Sequence, residues 1–192
     1  KMGETPDAQA VLNQIWDPFF ERDIALNAIN MCSFQAVRHM HRYGTTEEHM
    51  ALVAARTRAN GVRNPHAHIR RAVTTEEVLS SRPICWPIKL YDACPRSTGA
   101  CAVVIASESW IRRANRPAAW IRGIGACTDS YFMGDRMNGQ PFDYADWDAL
   151  QLAARHTYEM AGIRDPQREI DFAEIYAPFS CTELAAVEAL GF

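Results

Sequence analysis

A chain of 192 residues, 48% hydrophobic and 22% charged, has the size and balance of one globular domain. Its net charge of −3 offers no basic face for nucleic acid, and no apolar run approaches the ~20 residues that span a bilayer. No signal peptide opens the sequence, and the polar stretch Lys1-Met2-Gly3-Glu4-Thr5-Pro6 reads as the continuation of a longer chain.

Taken in order, the segment from Ile24 to Tyr43 predicts a helix closed by Gly44. Thr45-x-x-Glu48 then has the form of a capping box, in which a hydroxyl accepts from the backbone three residues on and the Glu reaches back. It predicts a helix from about Thr46 to Asn60, ended by Gly61. Thr74-x-x-Glu77 repeats the cap, but the residues that follow differ, so the two Thr-Thr-Glu-Glu runs open two helices and mark no duplication. Between Gly61 and Pro95 the sequence is rich in Arg, Pro and His with little periodicity. It reads as an extended excursion over a surface, a kind of segment that often carries function.

Ala100 to Ala106 is a continuous apolar run after Gly99, the pattern of a strand buried on both faces. Ala119 to Ile124 is a second strand candidate. A helix follows from Trp147 to Ala161, its apolar residues three and four apart and Gly162 at its end. Ile170 to Tyr176 is a third strand, feeding through Pro178 into a helix capped by Ser180-x-x-Glu183. Strands mixed with helices of ten or more residues imply an α/β layered sheet.

The candidate chemistry is spread thinly. Six cysteines (Cys32, Cys85, Cys94, Cys101, Cys127 and Cys181) form no C-x-x-C pair, which points to reduced thiols and a cytoplasmic setting. His39-x-His41 on a helix diverges and His66-x-His68 has no ligand partners at metal spacing, so no metal is expected. Gly123-Ile124-Gly125 fails to complete a dinucleotide fingerprint and reads as a strand-end turn. Arg56, Arg58, Arg63, Arg70 and Arg71 form either a solvated face or a patch that receives coenzyme phosphates. Tyr176 ends a strand just before a helix start, where ligands collect in open α/β sheets.

Four ordered blocks give these residues a family. They are His39-Met40-His41-Arg42-Tyr43-Gly44-Thr45-Thr46-Glu47-Glu48, then Asn64-Pro65-His66-Ala67-His68-Ile69-Arg70-Arg71 with Thr74-Thr75-Glu76-Glu77-Val78-Leu79. Next come Leu90-Tyr91-Asp92-Ala93-Cys94-Pro95-Arg96-Ser97-Thr98-Gly99-Ala100-Cys101-Ala102-Val103-Val104 and Glu174-Ile175-Tyr176-Ala177-Pro178-Phe179-Ser180 with Glu183-Leu184 and Leu190-Gly191. Together they resemble the lipid-transfer-protein (sterol-carrier-protein x type) branch of the thiolases, whose third block reads D-C-C-P-x-S-D-G-A-A-A-V and fourth V-H-D-C-F-S.

The resemblance implies a thiolase-like layered α/β fold, here its central portion. Residues 1–98 would hold the loop-domain excursion and lead-in to the N-terminal half, 99–118 the last strand and link of that half, and 119–192 the first part of the C-terminal half. The family's nucleophilic Cys block would precede Lys1, and its G-H-P-x-G-A-T-G block would follow Phe192. Arg70, Arg71, Cys94 and Ser97 are the implied contacts to the acyl-CoA thioester substrate, with coenzyme A entering only as part of that substrate. A homodimer and a small OB-fold, acyl-CoA-associated subunit are the implied partners.

The departures are informative. Tyr176 stands where the family has a catalytic His or Asn, Ala177 replaces the acidic residue after it, and Thr98 replaces the Asp of the third block. A Tyr in that place resembles the steroid side-chain aldolases of actinobacterial cholesterol breakdown, which cleave a β-hydroxyacyl-CoA by retro-aldol chemistry. Thiolysis needs a thiolate and an oxyanion hole. Retro-aldol cleavage needs a base for the β-hydroxyl proton and an acid for the enolate carbon. Bringing a phenol from ~10 to neutrality takes about 4 kcal/mol, of which a helix N-terminus supplies about 0.3–1, so donation of a proton is the role expected of Tyr176. An acyltransferase that tolerates the Tyr and a structural subunit without activity of its own are the other readings.

Overall fold

The computed structural model describes residues 26–192 except Arg96, Thr98, Tyr131 and 138–142, together with Asp17, 19–21 and 23–24. The opening hexapeptide and the Thr98 departure therefore lie outside the described residues. Helix α1 spans Ala28–Tyr43. It begins at Ala28 and not at Ile24 because Asn27 caps it, its Oδ1 accepting from the N–H groups of Ile29 (2.9 Å) and Asn30 (3.0 Å). Gly44 closes it with φ 72°, as its sequence predicts.

Helix α2 spans Glu47–Arg63. Its capping box is shifted by one residue from the expected one. Thr46 Oγ1 accepts from the His49 N–H, and His49 Nδ1 accepts in return from the Thr46 N–H at 3.2 Å. The hydroxyl of Thr45 is engaged elsewhere, 2.7 Å from His39 Nδ1. Gly61 does not end the helix, which runs on to Arg63 with Asn64 as its C-cap. A Cβ there would stand 3.3 Å from the Ile69 carbonyl, so the glycine lets the chain double back against the last turn.

The region from Gly61 to Pro95 is more structured than its composition suggests. Helix α3 (Thr75–Ser80) starts at the Thr74–Glu77 capping box as expected, with hydrogen bonds of 2.9 and 3.2 Å. Strands β1 (Pro83–Cys85) and β2 (Ile88–Lys89) form an antiparallel hairpin around a cis Trp86–Pro87 bond, and a 3-10 turn covers Leu90–Asp92. Elements of two to six residues are too short to show a hydrophobic period, which is why the sequence reads as coil.

These short elements fill the core. Met50 of α2, Ile88 of β2, Ala36 of α1 and Phe179 form one buried cluster with Cys181. Ala51 and Ala54 of α2 meet Val73 and Val78 in a second, and Leu26, Met133 and Tyr144 make a third. Burying a side chain of the size of Met50 or Ile88 contributes about 1.5–3 kcal/mol. The chain continues through α4 (Glu108–Ala114), α5 (Gly134–Met137), α6 (Asp148–Ala161), α7 (Pro166–Glu169) and α8 (Ser180–Ala189). Among the described residues no helix is long and apolar enough to cross a membrane.

None of the three expected strands forms among the described residues. Ala100 to Ala106, Ala119 to Ile124 and Ile170 to Tyr176 join no ladder among the described residues, and Val104, Ile121 and Phe172 are 89%, 66% and 79% exposed. An apolar run is buried on both faces only when neighbouring strands and helices flank it, and none of the described segments does so here. The middle segment lies against α6. Gly123 and Gly125 lie so close to it that a Cβ on either would overlap the backbone carbonyl of Thr157 or Ala153, and Arg122 Nη2 donates to the Ala161 carbonyl at 2.6 Å. The G-x-G pair therefore marks the close approach of this segment to a helix and not a strand-end turn.

Candidate active site

The third and fourth sequence blocks meet in one place. Ala93 and Phe179 form an antiparallel bridge, and the Cys94 N–H donates to the Pro178 carbonyl at 2.9 Å. Below the bridge the Ser180 hydroxyl donates to Asp92 Oδ1 at 2.6 Å, both residues being buried. Asp92 Oδ2 also accepts from the Lys89 N–H at 2.9 Å, so the carboxylate is held from two sides. Ser180 thus serves as a core hydrogen-bond donor and not as the expected cap. Thr182 takes the capping role at α8, its Oγ1 accepting from the Phe179 N–H at 3.3 Å.

A cleft of about 330 Å³ opens beside this junction. Its walls are the inner face of α2 with Thr57, Arg58 and Gly61, the returning stretch of chain at His68 and Ile69, the stretch from Tyr91 to Pro95 with Ser97, and the lead into α8 from Ala177 to Ser180. Of the residues singled out in the sequence, Cys94 and Ser97 line the cleft. Tyr176 is not among the lining residues; it is 85% exposed, and its neighbour in sequence, Ala177, is the first residue of that stretch to line the cleft.

Arg70 and Arg71 do not line it. Arg71 is bound to Glu77 (2.6 Å) and to the Tyr91 hydroxyl (2.9 Å), and Arg70 reaches the Val62 carbonyl at 3.5 Å. The cation on the cleft wall is Arg58, whose guanidinium lies 5.0 Å from the centre of the Tyr91 ring. Arg56 pairs with Glu183.

His68 was weighed in the sequence only as a metal ligand. The structure puts its Nδ1 2.5 Å from the Oγ of Ser97, at the cleft mouth. No spacing rule could have paired residues 29 apart, with a short helix, a hairpin and a 3-10 turn between them. Among the described residues no three His, Cys, Asp or Glu side chains converge as metal ligands. His39 is buried between Thr45 and Glu188, the latter 3.1 Å from its Nε2, where it ties α1 to α8.

The cysteines divide by environment. Burial pushes the Cys32 thiol up to about 11 and the Cys181 thiol higher still, so both stay protonated and inert. Cys94, Cys101 and Cys127 are exposed. A second cavity, of about 410 Å³ between α1, α6 and α8, is lined by Asp146, Asp148 and Glu188. Burial together with the neighbouring Asp146 raises the Asp148 carboxyl there.

No family model matches the chain. It is 29% identical over 192 residues to acetyl-CoA acetyltransferase of Methanothermobacter thermautotrophicus, an alignment covering 100% of this chain and 48% of that protein. To sterol carrier protein 2 of Bos taurus it is 34% identical over 157 residues, covering 80% of this chain and 28% of the relative. In three dimensions it matches a solved "Ltp2-ChsH2(DUF35) aldolase" with a TM-score of 0.71 at 22% identity, over 100% of this chain and 48% of the other. That match gives the fold, which is thiolase-like. The chain spans half or less of the length of these relatives.

Proposed function

We propose that this thiolase-superfamily chain, homologous to acetyl-CoA acetyltransferases and to sterol carrier protein 2, forms the centre of a carbon–carbon lyase. The reaction is retro-aldol cleavage of a β-hydroxyacyl-CoA side chain, with a steroid as the body of the substrate. The feature that carries the reading is the block around Tyr176, which resembles the family's V-H-D-C-F-S with Tyr176 in the His place and Ala177, a lining residue of the cleft, in place of the acid. Thiolysis asks for a base and an oxyanion hole at that point. A phenol with no carboxylate beside it in sequence suits the donation of a proton to the enolate carbon left when the bond breaks.

Two further features support it. Cys94 and Ser97 line the same cleft, and Arg58 gives its wall a fixed cation for an anionic thioester. The fold match to an aldolase whose name joins two components, Ltp2 and ChsH2(DUF35), fits an assembly in which this chain dimerises and binds a small OB-fold, acyl-CoA-associated subunit. A cytoplasmic site of action belongs to the same proposal.

The test is Tyr176→Phe in the intact protein. Loss of an acid–base group lowers turnover about 10²–10⁴-fold, and because the side chain is 85% exposed the fold should be untouched. Near-normal turnover would sink the assignment. The second reading is an acyl-CoA acetyltransferase, favoured by the acetyltransferase alignment over the whole chain. It differs in requiring free coenzyme A as a co-substrate, whereas the lyase releases a ketone and a shorter acyl-CoA without it.

A further inference from the structure

We infer that Ser97 and His68 form a hydroxyl–imidazole relay that removes the β-hydroxyl proton of the substrate. This assignment rests on the lyase reading, which names a proton donor in Tyr176 but leaves the base unassigned. The pair is built from two separate stretches of chain. His68 belongs to the segment that doubles back over α2, where Gly61 leaves room for the Ile69 carbonyl. Ser97 lies beyond the bridge that joins Ala93 to Phe179. Both line the cleft, and Ser97 Oγ stands 2.5 Å from His68 Nδ1.

The geometry fixes how the pair can work. With the ring neutral and its proton on Nε2, Nδ1 is an acceptor and the serine O–H donates to it. The serine oxygen then has lone pairs free to accept from a substrate hydroxyl in the cleft. An unassisted serine hydroxyl is too weak a base for this step, whereas an imidazole accepts a proton near neutral pH. His68 is exposed at the cleft mouth, so a proton it takes can pass on to solvent.

The step balances without a co-reactant. The substrate O–H proton moves to Ser97 Oγ as the Ser97 proton moves to His68 Nδ1. The electrons of the O–H bond form the ketone C=O, and those of the breaking carbon–carbon bond pass to the thioester enolate. The enolate carbon takes its proton from the Tyr176 hydroxyl. The imidazolium and phenolate then return to their starting states by proton exchange with water. Ser97 is the group that touches substrate, and His68 acts through it.

The experiment is the pH profile of kcat/KM for cleavage of a β-hydroxyacyl-CoA by the full protein and by His68→Gln, Ser97→Ala and Ser97→Thr. Gln can keep a hydrogen bond to Ser97 but cannot take the proton. The expected result is an acid limb in the unaltered protein that His68→Gln abolishes, with turnover lowered about 10²–10⁴-fold. Ser97→Ala should fall as far, the double variant no further, and Ser97→Thr should recover most of the rate by restoring a hydroxyl. Turnover by His68→Gln within about threefold of normal, with the acid limb intact, would overturn the relay while leaving the lyase reading standing. Failure of the unaltered protein to cleave the substrate at all would overturn both.

Discussion

Ser180 donates its hydroxyl proton to Asp92 across 88 residues of chain, at 2.6 Å and with both groups buried. The bond pins the start of α8 to the turn that leads into Cys94. The floor of the cleft and the placement of Ala177, next to Tyr176, both follow from that attachment.

Removing the hydroxyl leaves Asp92 with one of its oxygens unsatisfied in the core. Ser180→Ala is expected to cost about 1–3 kcal/mol. Urea unfolding measures it as a fall in the transition midpoint at unchanged slope. A variant as stable as the unaltered chain would show that Asp92 is satisfied from elsewhere.

Gly125→Ala tests the approach of the extended segment to α6. The atom in the way is the Ala153 carbonyl, part of the helix backbone, which cannot swing aside as a side chain can. Overpacking of this kind costs about 1–3 kcal/mol. Thermal unfolding should show a lower midpoint for Gly125→Ala, and hydrogen exchange should quicken first in α6.

How far the sequence revealed the fold depended on the range over which each signal acts. Asn27, Gly44, Thr74 and Gly162 act within a turn of their own position, so the helix ends they set were legible to within a few residues. Thr45 and Ser180 carry the same cap chemistry as Thr46 and Thr182 but are diverted by His39 and Asp92, partners far away in sequence. The apolar runs at Ala100 to Ala106 and Ile170 to Tyr176 predicted strands that do not form among the described residues, because a ladder needs a partner that the run itself does not supply. Cys94 and Ser97 were singled out through a motif and Arg58 only as one of five arginines of a possible phosphate patch, while His68 was missed as a cleft residue because only the fold brings it there.

The arginines make a second test of the cleft. Arg58 lines it and Arg70 does not, although the sequence pointed to Arg70 and Arg71. A charged hydrogen bond to a coenzyme phosphate contributes about 1.5–3 kcal/mol. Arg58→Ala should therefore raise KM for an acyl-CoA roughly 10- to 100-fold, and Arg70→Ala should leave it nearly unchanged. The reverse order in steady-state kinetics would place the coenzyme outside this cleft.

Acid stability follows from Asp143. Its side chain is 4% exposed and accepts from Arg38 at 2.9 Å while Arg42 lies 2.9 Å away. The hydrogen bond from Arg38, with the charge of both arginines, holds its carboxyl well below the usual carboxylate range. A group depressed in the folded state adds stability that is fully present above its unfolded value near ~3.9 and is lost as pH falls below it. Urea midpoints at pH 7, 4 and 3 should fall steeply over the last interval. In Asp143→Asn the pH 7 midpoint should drop, and its further loss on acidification should be smaller.

The lyase proposal meets its most direct test in product analysis. The purified protein is incubated with a β-hydroxyacyl-CoA carrying a steroid body, with and without free coenzyme A, and the products are identified by mass. The account predicts a ketone and a shortened acyl-CoA at the same rate in both samples. No cleavage without coenzyme A, together with thiolysis of the corresponding β-ketoacyl-CoA when it is present, would contradict it and favour the acetyltransferase reading.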